Sequence, residues 1–149
     1  PRQKSRYLTC AMARLWSDAP QAQTDRAFRD WLLELPGIGL KTASWITRNW
    51  LDSDSVAIID VHLYRAGLLA GFFRETDRVE KHYREMETSF IEFARAIGAR
   101  TSVLDAIIWS DMKAIGKLVH DLISEHTQAK RFRADNHRPR QPGHRRRAA

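Results

Sequence analysis

Apolar residues recur along most of the chain at the three- and four-residue spacing of amphipathic helices. The clearest example is the segment 78–97, where the apolar positions are separated alternately by four and three residues and Gly98 follows as a C-terminal cap. These positions are Val79, Tyr83, Met86, Phe90, Phe93 and Ile97. No segment alternates apolar and polar residues far enough to indicate a β-sheet. The pattern therefore predicts an all-α fold.

The same spacing predicts two helices near the start of the chain, over residues 4–16 and 25–35. Pro36 and Gly37 end the second helix, because proline lacks a backbone N–H and glycine readily closes a helix. The apolar faces are Leu8, Ala11, Met12 and Leu15 in the first helix and Phe28, Trp31, Leu32 and Leu35 in the second.

A third helix is predicted to start near Lys41 and to end at the polar turn 52–55. Residues 56–59 (VAII) are apolar and mostly β-branched, which favours an extended, buried connector over a helix. Asp60 follows directly and is a suitable N-cap for a fourth helix.

Ser102 and Asp105 have the spacing of a capping box, which predicts the start of the last helix. The apolar face of this helix is Ile107, Ile108, Met112, Ile115, Val119 and Leu122. The apolar pattern ends near residue 127, so we expect a helical domain over residues 1–127 and a basic tail over residues 128–149. The tail is rich in Arg and Pro and is expected to be flexible and disordered when unbound.

The charge of the chain is concentrated in this tail. Residues 130–149 contain eight Lys or Arg and one Asp, which account for the whole formal net charge of +7, so the remaining residues sum to zero. Such a tail can bind nucleic acid without sequence preference, but it can equally be a solvated terminus. A nucleic-acid function must therefore rest on motifs in the body of the chain.

Length and cysteine content narrow the class of protein. At 149 residues and 43% hydrophobic, the chain has the size and composition of one globular domain. Cys10 is the single cysteine, which excludes an internal disulfide and a zinc or iron–sulfur site held by cysteines of this chain alone. No apolar run reaches the roughly 18 residues of a membrane span, and no signal peptide is visible. We therefore expect an intracellular protein without a membrane partner.

The segment LPGIGLKTAS joins two predicted helices through a glycine hairpin. Gly37 and Gly39 allow backbone angles and close approaches that a β-carbon forbids. The second helix begins at once, so its unpaired N–H groups and positive dipole end can hold a phosphate. A tight corner, in which the glycines serve packing alone, is the alternative.

LPGIGLKTAS and VAIIDVH together resemble the helix–hairpin–helix, Gly-Pro-Asp (HhH-GPD) DNA glycosylases, and most closely their 8-oxoguanine branch. The hairpin, Lys41 and Asp60 match in order and spacing, and the resemblance is strongest over residues 28–73. The segments are also similar to companion proteins with the 8-oxoguanine glycosylase fold in bacterial antiphage gene cassettes. The resemblance implies an all-α, helix–hairpin–helix glycosylase-like domain.

The resemblance implies a role for each matching residue. Lys41 is at the position of the catalytic nucleophile and Asp60 at that of the essential aspartate. The backbone N–H groups of Gly37 and Gly39 match positions that face a DNA phosphate, and Ile38 between them also matches a DNA-binding position. So do Lys41 and His62, a histidine near the DNA backbone.

The main-chain carbonyls of Leu33, Leu35 and Ile38 match positions that can hold a monovalent cation, K⁺ or Na⁺, under the hairpin. No other cofactor is implied, and an iron–sulfur cluster is not expected.

These residues suit the chemistry of base excision. Breaking an N-glycosidic bond places positive charge on the sugar, which an ionised Asp60 would stabilise. A neutral Lys41 amine, favoured by the helix N-terminus and by partial burial, would attack the sugar and form a Schiff base. The target base must leave the stack. Tryptophans could stack on it, although aromatic residues at helical spacing are more typical of a core: Trp31, Trp45, Trp50 and Trp109.

The resemblance thus implies a bifunctional DNA glycosylase and AP lyase that excises an oxidised purine such as 8-oxoguanine. It would act in the cytoplasm of a bacterium or archaeon, in association with the nucleoid. Its partner would be double-stranded DNA with a flipped damaged base. Only 34 residues precede Leu35, so we expect either an incomplete N-terminus or a second chain that completes the DNA cleft. The alternatives are a component of an antiphage defence system, a non-catalytic module that binds the DNA backbone, and a helical scaffold with a basic tail.

Overall fold

The computed structural model describes residues 2–17, 20, 23–116, 118 and 121–125. Every regular element in these residues is helical, which confirms the all-α prediction. The six longer helices are α1 (Arg2–Ser17), α2 (Asp25–Leu32), α3 (Leu40–Leu51), α4 (Val61–Ala70), α5 (Val79–Ala96) and α6 (Thr101–Ile115). Residues 121–125 are also helical. The predicted tail, residues 128–149, lies outside the described residues.

Local sequence explains several helix ends. The Thr24 hydroxyl accepts a hydrogen bond from the Ala27 N–H at 3.1 Å and starts α2. Gly71 closes α4 with a φ of 84°, a left-handed conformation that suits glycine. Gly98 follows α5 with a φ of 70°, as the predicted cap requires.

The predicted capping box at the start of α6 is wrong. Helix α6 begins at Thr101, and the Asp105 carboxylate binds the Arg48 guanidinium at 2.6 Å instead of turning back to the helix end. The Ser102 N–H donates to Asp54 Oδ1 at 2.8 Å. The carboxylate of Asp54, in the turn after α3, therefore caps this helix. Asp105 pairs with the Arg48 guanidinium instead.

Two clusters of buried apolar side chains form the core. The larger joins residues 56–59, α4 and α5, and the smaller joins α2, the hairpin and α3. The fully buried members of the larger cluster are Ala57, Ile59, Leu63, Phe73, Tyr83, Met86, Phe90 and Ile91, and those of the smaller are Leu32, Leu35 and Ala43. Most of the predicted face of α5 is thus in the core, but Ile97 is 55% exposed.

The first and last helices depart from the predicted pattern. In α1, Leu8 and Met12 are 65% and 60% exposed, so the described residues leave most of its apolar face uncovered. Helix α6 ends at Ile115 because Gly116 adopts a φ of 54°, and it does not continue as one helix to Leu122. Within the described residues, no helix combines the length and the hydropathy needed to cross a membrane.

Residues 56–59 form the predicted extended segment, and all four are buried. We call residues 56–59 the connector. The connector is neither helix nor strand. Its buried backbone N–H and C=O groups therefore need hydrogen-bond partners among the side chains of neighbouring helices. Asp60 follows it at the surface of the core.

Asp54 is expected to stabilise the fold in a pH-dependent way. Burial alone would raise the pKa of this carboxyl, but hydrogen bonds from the Ser102 N–H and from Arg100 outweigh burial and hold the pKa below its usual value. A carboxyl with a lowered folded-state pKa stabilises the protein above its ordinary pKa of about 3.9, and the effect is lost as the pH falls through the folded value. We expect Asp54→Ala to lower the free energy of unfolding by about 1 kcal/mol at pH 7, as loss of a helix cap usually does.

Urea unfolding at pH 7 and pH 3 would measure this effect. The difference between the wild type and Asp54→Ala should shrink at the lower pH. Asp52→Asn is the matched control, because Asp52 also binds Arg100 but its side chain is 80% exposed. Asp52→Asn should change the free energy of unfolding less than Asp54→Ala does at both pH values. If the difference in the free energy of unfolding between the wild type and Asp54→Ala is the same at both pH values, the lowered pKa of Asp54 is contradicted.

Candidate functional site

The hairpin between α2 and α3 has the predicted form. Residues 33–37 turn the chain, Gly39 is the N-cap of α3, and the first bond of the new helix runs from the Ala43 N–H to the Gly39 carbonyl at 2.9 Å. The Ile38 N–H donates to the Leu35 carbonyl at 3.2 Å. The N–H of Ile38, a residue predicted to bind DNA, is therefore used by the turn itself.

Gly37 is required by the fold. Its φ of 83° lies in the left-handed region, where a β-carbon is strained. The ring of Tyr7, in α1, occupies the space that a β-carbon would fill. Both observations explain this glycine without reference to a ligand.

Gly39 has no comparable structural reason to be glycine. Its φ is −99°, which any residue can adopt, and no described atom lies within 4 Å of the position of an added β-carbon. Gly39 provides no side chain to cap α3, and no side chain in the described part of the structure takes over this role. The result is an open helix N-terminus, a common binding site for anions.

Asp60 is the N-cap of α4, as predicted. Its Oδ1 accepts hydrogen bonds from the His62 N–H at 2.8 Å and the Leu63 N–H at 2.9 Å. These two bonds fix the position of the carboxylate at the start of α4. Its Oδ2 makes no hydrogen bond to any residue that the structure describes, and it is free to act on a ligand.

Lys41 and Asp60 line one cavity of about 460 Å³. The connector and α4 form part of its wall, and the segment that leads into α5 forms the rest; the other lining residues are Ile59, Val61, Tyr64, Asp77, Arg78, Val79 and Glu80. Lys41 is in the first turn of α3, as expected, but its side chain is exposed, so the expected partial burial is wrong. The reason is that the cavity is open on this side, and no described residue covers the amine.

His62 lies beside this cavity but does not line it. Its ring meets the ring of Trp109 edge to face, with the centroids 6.2 Å apart, and its Nδ1 is buried without a hydrogen-bond partner among the described residues. Its contact with a DNA backbone stays a prediction.

A second acidic group near Asp60 was not found by sequence reasoning. Asp105 is buried and paired with Arg48, in a pocket of about 250 Å³. Burial raises the pKa of Asp105, the Arg48 charge opposes this, and the negative charge of Asp60 raises it further. Arg48 and Asp105 are 57 residues apart, so no sequence motif could indicate the pair.

Two tryptophans border the same pocket and are largely exposed, in contrast to the core position that their helical spacing favours. Trp45 is 55% exposed and Trp109 is 45% exposed. The Nζ of Lys113 lies 4.5 Å from the centre of the Trp109 ring. These rings can therefore contact a ligand without rearrangement of the core.

The three carbonyls predicted to hold a cation all lie in the turn between α2 and α3. The Leu35 carbonyl already accepts a hydrogen bond from the Ile38 N–H. No described residue makes such a bond to the carbonyls of Leu33 or Ile38, which leaves both oxygens available. Neutral carbonyl oxygens are ligands that suit K⁺.

The chain is similar to known DNA glycosylases. Residues 2–99 match the family described as 8-oxoguanine DNA glycosylase. The chain is also 35% identical over 85 residues to the 8-oxoguanine DNA glycosylase/AP lyase of Metallosphaera sedula, which covers 54% of this chain and 39% of that protein. The matched region is thus well under half of that relative's length. No solved structure gives a significant match.

The two hairpin glycines should respond to substitution in opposite ways. Gly37→Ala introduces a β-carbon at a positive φ and against Tyr7, so we expect the free energy of unfolding to fall by about 1–2 kcal/mol. Gly39→Asn supplies the missing cap of α3 and should raise the free energy of unfolding by a few tenths of a kcal/mol. Urea unfolding of both variants would check these signs. A large loss of stability in Gly39→Asn would show that the fold does require Gly39.

Proposed function

Because the chain belongs to the 8-oxoguanine DNA glycosylase family, we propose that it is a DNA glycosylase with an associated AP lyase activity. Its substrate would be double-stranded DNA that contains an oxidised purine such as 8-oxoguanine. The observation that carries the proposal is that Lys41 and Asp60 line one cavity beside an open helix N-terminus.

The N-terminus of α3 is the proposed contact with the DNA backbone. The free N–H groups at Gly39 and in the first turn would bind a phosphate, and the space over Gly39 would let the backbone approach closely. Such a contact is independent of base sequence. It would also place the sugar of the same strand near Lys41, which is two residues further along.

Lys41 is the proposed nucleophile. Its nitrogen would form a bond to C1′ of the sugar and lose a proton, while the N-glycosidic bond breaks and its electron pair leaves with the base, which takes up a proton. Opening of the sugar ring gives the Schiff base. Loss of a proton from C2′ then expels the 3′ phosphate, which is the lyase step. A nucleotide seated in the cavity would cover the exposed amine and favour its neutral form.

Asp60 is the proposed electrostatic partner of this reaction. Oδ1 is held by the cap bonds of α4, which leaves Oδ2 to face the positive charge that develops on the sugar. Because the cap fixes the carboxylate before DNA binds, little reorganisation is needed during the reaction.

Two further expectations belong to the proposal. A K⁺ or Na⁺ at the carbonyls of Leu33, Leu35 and Ile38 would hold the hairpin in shape beneath the phosphate. Protein surface beyond the described residues, from this protein or a partner chain, would complete the cleft that flips the base. The site of action would be the nucleoid, in the cytoplasm of a bacterium or archaeon.

A non-catalytic module that binds the DNA backbone is the second candidate. The exposed position of Lys41 favours it, because no described residue holds the amine in place for a reaction. This candidate uses the N-terminus of α3 in the same way but assigns no chemistry to Lys41 or Asp60.

Borohydride trapping on a duplex with one 8-oxoguanine distinguishes the two candidates. We expect the wild type to form a covalent adduct and Lys41→Gln to form none, with DNA affinity little changed. Asp60→Asn keeps an acceptor for the cap but loses the charge, so adduct formation should slow by about 10²–10³-fold. Lys4→Gln, which removes a lysine from the exposed face of α1, is the matched control and should react as the wild type does. Failure of the wild type to react, where a known glycosylase/lyase does, would contradict the enzymatic proposal.

Substitution at Gly39 tests the phosphate contact separately. Gly39→Asp caps α3 but places a negative charge where the phosphate would bind, so DNA affinity should fall by about tenfold or more. Gly39→Asn makes a similar cap without the charge and should have a smaller effect. Fluorescence anisotropy with an undamaged duplex would measure both. If Gly39→Asp binds normally and deletion of residues 130–149 removes binding, the tail rather than the hairpin holds DNA.

A further inference from the structure

The backbone of the connector is held by side chains of α5. The Ala57 N–H donates to Glu87 Oε1 at 3.0 Å. The Tyr83 hydroxyl donates to the Ala57 carbonyl at 3.0 Å and accepts from the Ile59 N–H at 3.2 Å. Three backbone groups of a fully buried segment thus bond to two residues of one helix.

Tyr83 is well suited to this double role. Burial raises the pKa of its hydroxyl to about 12, so the group keeps its proton at neutral pH and remains a donor to Ala57. Its ring is buried in the larger core cluster, which fixes the position of the hydroxyl.

The opposite edge of the connector faces α6. Ile58 lines one pocket together with Asp105, whose carboxylate is bound to Arg48 of α3. The Ile58 N–H contributes to lowering the pKa of this carboxyl, against the effect of burial. Successive residues of an extended chain point to opposite sides. Ala57 and Ile59 therefore bond to α5, and Ile58 between them is directed to α6.

Both acidic residues also reach the helices on either side of the hairpin. Glu87 Oε2 accepts from Arg29 of α2 at 2.5 Å, and Asp105 accepts from Arg48 of α3 at 2.6 Å. Glu87 thus joins α2 to the connector, and Asp105 binds α3 and lies beside Ile58 of the connector. Lys41 follows the hairpin, and Asp60 follows the connector.

We propose that Tyr83, Glu87 and Asp105 are positioning residues that set the location of Asp60 relative to Lys41. The inference rests on the function proposed above and assigns to these residues no contact with the DNA or the reacting atoms. They act on the connector backbone, whose last residue precedes Asp60. A displacement of about 1 Å in a reacting group can slow a reaction by about 100-fold, so a small shift of the connector would affect the rate more than the affinity.

Tyr83→Phe tests this role with little change in packing. The variant keeps the ring but loses the bonds to Ala57 and Ile59. We expect the single-turnover rate of borohydride-trapped adduct formation at saturating 8-oxoguanine duplex to fall by about tenfold or more, with the Kd for the same duplex changed less than about twofold. Asp105→Asn, which weakens the hold on Ile58 from the other side, should show the same split between rate and affinity.

Two controls separate positioning from stability. Thr88→Val removes a hydroxyl from the same helix. Among the residues that the structure describes, this hydroxyl bonds to the Arg84 carbonyl of its own helix and to no other group. Ile91→Val destabilises the core but leaves the connector bonds intact. Both should react at the wild-type rate at a temperature where all variants are folded, as verified by circular dichroism.

The outcomes distinguish this inference from the proposed function. A wild type that forms no adduct overturns both. A wild type that reacts, with Tyr83→Phe and Asp105→Asn reacting at the same rate, overturns the positioning role alone. An equal loss of rate in Ile91→Val would also overturn it, because general destabilisation would then explain the effect. A selective loss of rate in Tyr83→Phe and Asp105→Asn supports it.

Discussion

The ion pair between Arg29 and Glu87 is the interaction on which the arrangement of this domain depends. The two residues are 1% and 3% exposed, so both charges are withdrawn from water. Burial of charge is costly unless the remaining polar atoms are also satisfied. Here each residue has a second partner: Arg29 Nε also donates to Asp30, and Glu87 Oε1 also accepts from the Ala57 N–H. A hydrophobic pair could fill the same volume, but it would not fix the register of α2, α5 and the connector.

Features that depend on a few neighbouring residues could be predicted from the sequence. The stripe on α5, the extended connector and the cap at Asp60 each follow from local periodicity or from one side chain bonding to the adjacent backbone. The hairpin also belongs to this class, because Gly37 needs a positive φ wherever the chain turns in this way. Such features are determined before distant parts of the chain meet.

Features that depend on distant partners could not be predicted. Asp105 has the spacing of a helix cap, and only the approach of Arg48 from another helix shows that it serves as a buried ion partner. Arg29 has the pattern of a solvent-facing residue on an amphipathic helix, yet it is among the most buried residues described. The exposure of Lys41 depends on what covers the cavity, which sequence spacing does not indicate. Long-range polar pairs and the covering of a surface by distant residues therefore escape prediction from local sequence patterns.

The cap at Asp60 has a consequence for how related sequences should be compared. Asp60 serves the fold by starting α4, whether or not it also serves a reaction. A descendant that had lost the activity would still be selected to keep this residue for stability. Lys41 is exposed, and the described residues give it no structural task, so the same descendant would be free to lose it by drift. Among divergent relatives, the residue at position 41 is therefore the better marker of retained catalysis, and an aspartate at position 60 alone indicates only a retained helix.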